Sequence, residues 1–171
     1  MIKVDRRGLD KKIKRLKDFQ DSLDGKNIIK ELAKEAAELV YKRVKSGKGV
    51  DSDTSDSPSG KSLKPLSFRY KKFREKYDGQ TGPFFSVGKS NLTLTGQMLG
   101  AMKWKITKLG FEIYIAKTSR NDSDSTNAEI AEYVAKQGRP FLALTVKEQR
   151  IIAKSYENKV RELARKKFKL T

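Results

Sequence analysis

Three observations predict an α+β fold in which a small antiparallel sheet is covered by long amphipathic helices. Residues 102–116 alternate apolar and polar side chains with a period of two around a glycine-containing turn. Residues 27–46, and the stretch that follows Thr145, carry apolar residues at helical spacing. Two capping boxes, Thr126 with Glu129 and Thr145 with Glu148, mark helix starts where a hydroxyl and a carboxylate can satisfy otherwise unpaired backbone N–H groups.

From the N-terminus, Leu9, Ile13, Leu16 and Leu23 recur at helical spacing, with Phe19 on the flank and Lys, Arg and Asp elsewhere. The pattern predicts a helical arm over about 1–25 with a narrow apolar stripe, ended by Gly25. A second helix over 27–46 is capped by Asn27. It presents Ile28, Ile29, Leu32, Ala36, Leu39, Val40 and Val44 as a broad apolar face. Its Ala33, Ala36 and Ala37 let a neighbour approach closely, which makes it the main helix packed on the sheet.

Residues 46–62, SGKGVDSDTSDSPSGKS, have almost no apolar content and predict a mobile loop. Its Asp51, Asp53 and Asp56 resemble a calcium loop only superficially. The central Gly and terminal Glu of an EF-hand are missing, so a solvated loop is the preferred reading.

Leu66 and Ser67 then read as staple and cap for a helix on which Tyr70, Phe73 and Tyr77 share a face. Arg69, Lys71, Lys72, Arg74 and Lys76 are interleaved with these aromatics. We favour buried aromatics with solvated cations; the alternative is a stacking platform for single-stranded nucleic acid. Gly79, Gly82 and Pro83 break the chain before Phe84 and Phe85, which begin an apolar or strand-like connection to the central unit; one additional strand is expected beside the hairpin.

The centre of the chain is residues 92–116. Thr95 is expected to cap a short helix carrying Met98, Leu99 and Met102, with Gly96 in the turn. A hairpin over about 101–116 follows. Met102, Trp104 and Ile106 alternate with Lys103, Lys105 and Thr107, and Phe111, Ile113 and Ile115 with Glu112, Tyr114 and Ala116. Lys108-Leu109-Gly110 turns the chain, with Gly110 where positive φ is needed. A lone hairpin is marginal in water, so helices must cover its apolar face.

A second mobile polar loop is expected over 118–127. The helix opened by Thr126 runs through Ile130, Ala131, Val134 and Ala135 and stops at Gly138. Arg139-Pro140-Phe141-Leu142 is extended, because residues before proline avoid the helical region. Thr145 caps the last helix, which carries Ile152, Tyr156, Val160 and Leu163 on one stripe. Its basic end (Arg161, Arg165, Lys166, Lys167, Lys169) suits the negative pole of the helix dipole. The 171 residues are thus read as a single domain with an arm and two loops.

Composition narrows the function classes. The hydrophobic share is 36% and the charged share 35%, which implies a modest core and long solvated helix faces. A net charge of +18 favours polyanionic partners, whether nucleic acid, an anionic surface or an acidic protein. The cations are spread along the chain and Lys predominates, unlike a sequence-specific reader with Arg concentrated on one element. No run is apolar enough to span a membrane, and the basic N-terminus lacks the apolar core of a secretory signal. The chain has neither Cys nor His. Disulfides, thiol chemistry and the usual zinc sets therefore drop out, as does the commonest proton-transfer side chain. With no phosphate-loop, dinucleotide or nucleophile-elbow motif, neither an enzyme nor a cofactor is expected.

Three segments carry a family likeness. They are Lys64-Pro65-Leu66-Ser67 before a Tyr- and Lys-rich helix; Leu94-Thr95-Gly96-Gln97-Met98-Leu99, similar to an L-x-x-T-G-x-L turn before a hairpin; and Gly138-Arg139-Pro140-Phe141-Leu142-Ala143-Leu144-Thr145, similar to an R-P-F-L-G-L-S link. Their order and separations over about residues 27–165 resemble the neck and tail-completion proteins of tailed bacteriophages, the virion-morphogenesis and head–tail joining proteins. Ala143 departs from the commoner Gly, and both polar loops are long.

The resemblance implies a non-enzymatic structural protein that forms a homo-oligomeric ring in the neck or at the head-proximal end of the tail. Its partners would be a connector or head-closure protein on one side and a tail terminator or tail tube protein on the other. Non-specific contact with genomic DNA in the channel is compatible with the charge, and no membrane is involved. The expected location is the virion, and the host cytoplasm during assembly. The alternative is a basic DNA- or RNA-binding protein. Lys71, Lys72, Arg74, Arg139 and Phe141 are the expected interaction residues, and Thr95, Gly96, Gly110 and Thr145 the structural turns and caps.

Overall fold

The computed structural model describes residues 14, 25–50, 60–77, 81, 85–88, 92, 95–108 and 110–168. The expected arm over 1–25, apart from Lys14 and Gly25, and the acidic tract Asp51, Asp53 and Asp56 lie outside them, as do Phe84, Leu94 and Leu109. The fold is α+β, with two separate two-stranded antiparallel sheets among helices. The elements run α1 (Gly25–Lys45), β1 (Lys48–Gly49), β2 (Lys61–Ser62), α2 (Phe68–Glu75), α3 (Gln97–Gly100), β3 (Met102–Thr107), β4 (Gly110–Ile115), α4 (Asn127–Lys136) and α5 (Val146–Phe168).

Helix α1 is the spine, packing on β3, β4, β1 and α5. Ala33, Ala36, Val40 and Val44 are wholly buried, which shows why its small residues matter: they let the hairpin sit close. Burial of this face also explains the early start. Gly25 is the first residue of α1 and Asn27 lies inside the helix instead of capping it, since a weak helix former costs only about 1 kcal/mol. Two apolar clusters line α1. One joins Val40 and Val44 to Met98, Leu99, Ile115, Ala131 and Phe141; the other joins Ile28, Leu32 and Ala36 to Ile152, with Val160 and Leu163 packed alongside.

The β3–β4 hairpin has the register that the alternation implied, Met102 opposite Ile115, Trp104 opposite Ile113 and Ile106 opposite Phe111. Gly110 has φ +142, a backbone that a side chain would oppose. Cover is uneven: Ile113 packs against both clusters, Trp104 is half-buried and Ile106 is exposed. On the solvated side Lys105 pairs with Glu112 directly opposite, at 2.9 Å, and that carboxylate raises the lysine's pKa.

Among the described residues no additional strand joins the hairpin. Extra pairing occurs instead in what the composition suggested was a wholly mobile loop. Among residues 46–62, Lys48 pairs with Ser62 and Gly49 with Lys61. Val50 N–H donates to the Pro140 carbonyl and Leu63 N–H to that of Gly47. Val50 and Leu63 are buried, and two apolar residues at the rims suffice to tie them down.

The 118–127 segment is also held. Arg120 grips Asp122 with two bonds at 2.8 and 2.7 Å and donates to the Asn127 side-chain oxygen at 2.9 Å. Asn121 N–H donates to Gln97 Oε1. A buried-edge guanidinium makes a hub that polar composition alone does not reveal. Both capping boxes are present, and α4 closes before Gly138 as expected. On α5 the stripe narrows: Ile152 is buried, but Tyr156 is exposed.

Candidate functional site

Helix α2 is where the sequence and the structure diverge most. Ser67 caps it, accepting from the Tyr70 N–H. Tyr70, Phe73 and Tyr77 do share a face, with successive ring centroids 5.8 and 5.7 Å apart. That ridge points outward. Phe68 is 77% exposed and Phe73 50%, whereas Arg74 is only 3% exposed. The expected burial of the aromatics is thus overturned, while Arg69, Lys72 and Lys76 are exposed as expected and Arg74 is the buried cation among them. With aromatic and basic residues interleaved on every side, no face of α2 has a decisive advantage in transfer free energy, so neighbouring surfaces choose.

Arg74 turns inward against aromatic rings, its guanidinium carbon 4.8 Å from the Phe85 centroid and 6.0 Å from that of Tyr70. Burial pushes its pKa below the ordinary arginine value, with Tyr70 opposing. Arg74 is therefore an internal anchor, while Lys71 is half-buried and Lys72 is exposed and paired with Glu75 at 3.0 Å. The three cations named together from sequence do not form one surface.

Beside α2 runs a groove of about 620 Å³ between residues 64–74 and α4. Its lining includes Leu66, Met98, Ile130 and Val134, with Tyr70 and Tyr133 at the sides and Lys64, Arg74, Arg120 and Arg139 around them. Arg139 fastens one wall: its Nε donates to the Lys64 carbonyl and its Nη2 to that of Pro65, both at 3.0 Å. Leu92, also lining the groove, has φ 55, a left-handed backbone costing about 1–2 kcal/mol in a non-glycine residue.

Thr95 is not a helix cap. The N-cap position of α3 is Gly96, with φ 75 and no side-chain cap bond, and the Thr95 hydroxyl accepts from Arg120 Nη2 at 3.4 Å. A left-handed residue is needed to swing the chain into this single helical turn, and glycine supplies it without strain. Phe141, 2% exposed, is core and not surface, so its role is to anchor the link between α4 and α5.

Glu148 was foreseen as a capping residue, but its pairing with Arg43 was not. Arg43 Nε donates to Glu148 Oε1 at 2.9 Å, and its Nη2 to the Phe141 and Ala143 carbonyls at 3.0 and 2.6 Å. The available signal was an arginine in phase with the apolar positions Ala36, Val40 and Val44. Arg43 Nη1 is buried without a hydrogen-bond partner. Among the described residues no group of His, Cys, Asp and Glu is arranged to hold a metal ion, and no helix is long and apolar enough to cross a membrane.

Comparison of the chain with protein-family models, with curated proteins and with solved structures finds no match in any of the three.

Proposed function

We propose that this chain is a structural subunit of a tailed-phage particle, a neck or tail-completion protein that forms a ring joining head to tail. One observation carries the reading. The three segments behind the family likeness, far apart in sequence, meet at one groove: Lys64, Pro65, Leu66 and Ser67 from the first, Thr95, Gly96 and Met98 from the second, and Arg139 from the third. The exposed Phe68 and Phe73 on the adjoining helix add an apolar ridge of the kind that marks protein–protein contact. The excess positive charge would be offset by acidic neighbours or by the passing genome. Identical subunits joined head-to-tail close into a ring when their rotation closes.

Negative-stain microscopy of the purified chain, with a search for the protein in mature particles, tests the proposal. Rings, or incorporation into particles that Phe68→Ser/Phe73→Ser abolishes without lowering the melting temperature, support it. A monomer absent from particles overturns it.

The exposed aromatic–cationic ridge favours a second reading, a binder of single-stranded nucleic acid. Against it, Tyr70 and Phe73 already stack on one another. A dedicated binder would hold oligonucleotides as a monomer, with affinity falling steeply as salt rises.

A further inference from the structure

We infer that the groove between residues 64–74 and α4 is a docking site for an acidic peptide segment of another protein, carrying one aromatic or large aliphatic anchor. The occupant is specified by its chemistry, whatever assembly the chain serves. The floor is apolar: Leu66, Met98, Ile130 and Val134. None of the described lining residues is acidic, while Lys64, Arg74, Arg120 and Arg139 all contribute.

These cations are not equivalent. Arg120 is answered within the fold by Asp122, at 2.7 Å. Among the described residues the Arg139 guanidinium bonds only neutral carbonyls, those of Lys64 and Pro65. Among the described residues no carboxylate pairs with Arg139 or Lys64. The rim thus keeps positive charge beside a surface that water covers poorly. An anchor side chain removes apolar area from water, and flanking Asp or Glu residues meet the rim. The volume, about 620 Å³, is of the size that holds a few side chains.

Two other occupants fit less well. A phosphodiester chain would meet the cations but leave the apolar floor without a partner. A second copy of this chain brings a further +18 of charge to a basic rim.

The test uses the purified full chain and a displayed library of short random peptides. The expected winners are net acidic with one conserved Phe, Trp, Leu or Met. Tyr133→Glu/Gln137→Glu alters two exposed positions on the α4 wall and should weaken those peptides about tenfold or more without changing the melting temperature. Gln149→Glu/Asn158→Glu adds the same charge on α5, away from the groove, and should leave affinity within about twofold. Basic or neutral winners, no enrichment, or equal weakening by both double variants would overturn the inference. So would displacement of the peptide by an oligonucleotide, or self-association that accounts for all occupancy of the groove.

Discussion

Arg43 and Glu148 stand 105 positions apart in the chain and form a buried ion pair, their side chains 5% and 9% exposed. The second carboxylate oxygen of Glu148 accepts the Thr145 N–H at 2.8 Å, completing the α5 capping box. One guanidinium therefore joins the end of α1, the Phe141–Ala143 link and the start of α5.

Removing one partner strands the other in a site with little water. Glu148→Ala or Arg43→Ala should cost about 3–5 kcal/mol of unfolding free energy. The double change Arg43→Ala/Glu148→Ala should cost clearly less than the sum of the two. Urea unfolding arranged as a double-mutant cycle measures this, and additive losses would show that the pair is not coupled.

The rims of the 46–62 segment can be probed at Gly49. A Cβ there would meet the Pro140 carbonyl oxygen at 2.4 Å and Leu63 Cδ2 at 2.6 Å. Gly49→Ala should destabilise the chain by about 1–3 kcal/mol. It should also speed amide exchange of Val50, whose N–H donates to Pro140. An unchanged Val50 amide would mean that the segment is not docked there.

Charge reversals on α2 should separate two kinds of cation. Lys71→Glu/Lys72→Glu should leave stability within about 1 kcal/mol, because surface changes rarely exceed about 0.5 kcal/mol each. Arg74→Glu places a carboxylate in a 3% exposed site facing aromatic rings and should cost about 3 kcal/mol or release α2 from the domain. Chemical denaturation and limited proteolysis of the 60–77 region read the two outcomes. A simultaneous change of all three residues would confound lost contact with lost folding.

The acid limb of stability should depend on Glu129 and Glu31. The Thr126 N–H and hydroxyl hold the Glu129 carboxyl below its ordinary pKa, and Lys159 does the same for Glu31. A carboxylate whose folded pKa is depressed adds stability above its unfolded value, and that stability is lost as pH falls through the folded value. Glu129→Gln keeps the capping geometry and removes the charge. Its melting temperature should lie below wild type at neutral pH, with the gap closing as the solution is acidified. A gap that stays constant with pH would mean that the charge contributes nothing.

Much of the architecture was legible locally. The Thr126 and Thr145 capping boxes and the hairpin register involve partners a few residues away or across one short turn, so spacing identifies them. The apolar phase of α1 was equally plain, since burial of one face leaves a period of 3.6 in the residues themselves.

Other features needed the fold. That Tyr70, Phe73 and Tyr77 share a face follows from helical geometry, but periodicity cannot say whether that face meets the core. Here a competing residue on the same short helix, Arg74, takes the inside position. The ordering of the 118–127 segment by Arg120, the Arg43–Glu148 pair and the meeting of three segments at one groove all depend on surfaces distant in the chain. The sequence by itself determined which residues cap, turn and alternate, because those are contests among near neighbours in the chain. Only the tertiary structure decided which side chains lose their water, because desolvation depends on what arrives from elsewhere in the molecule.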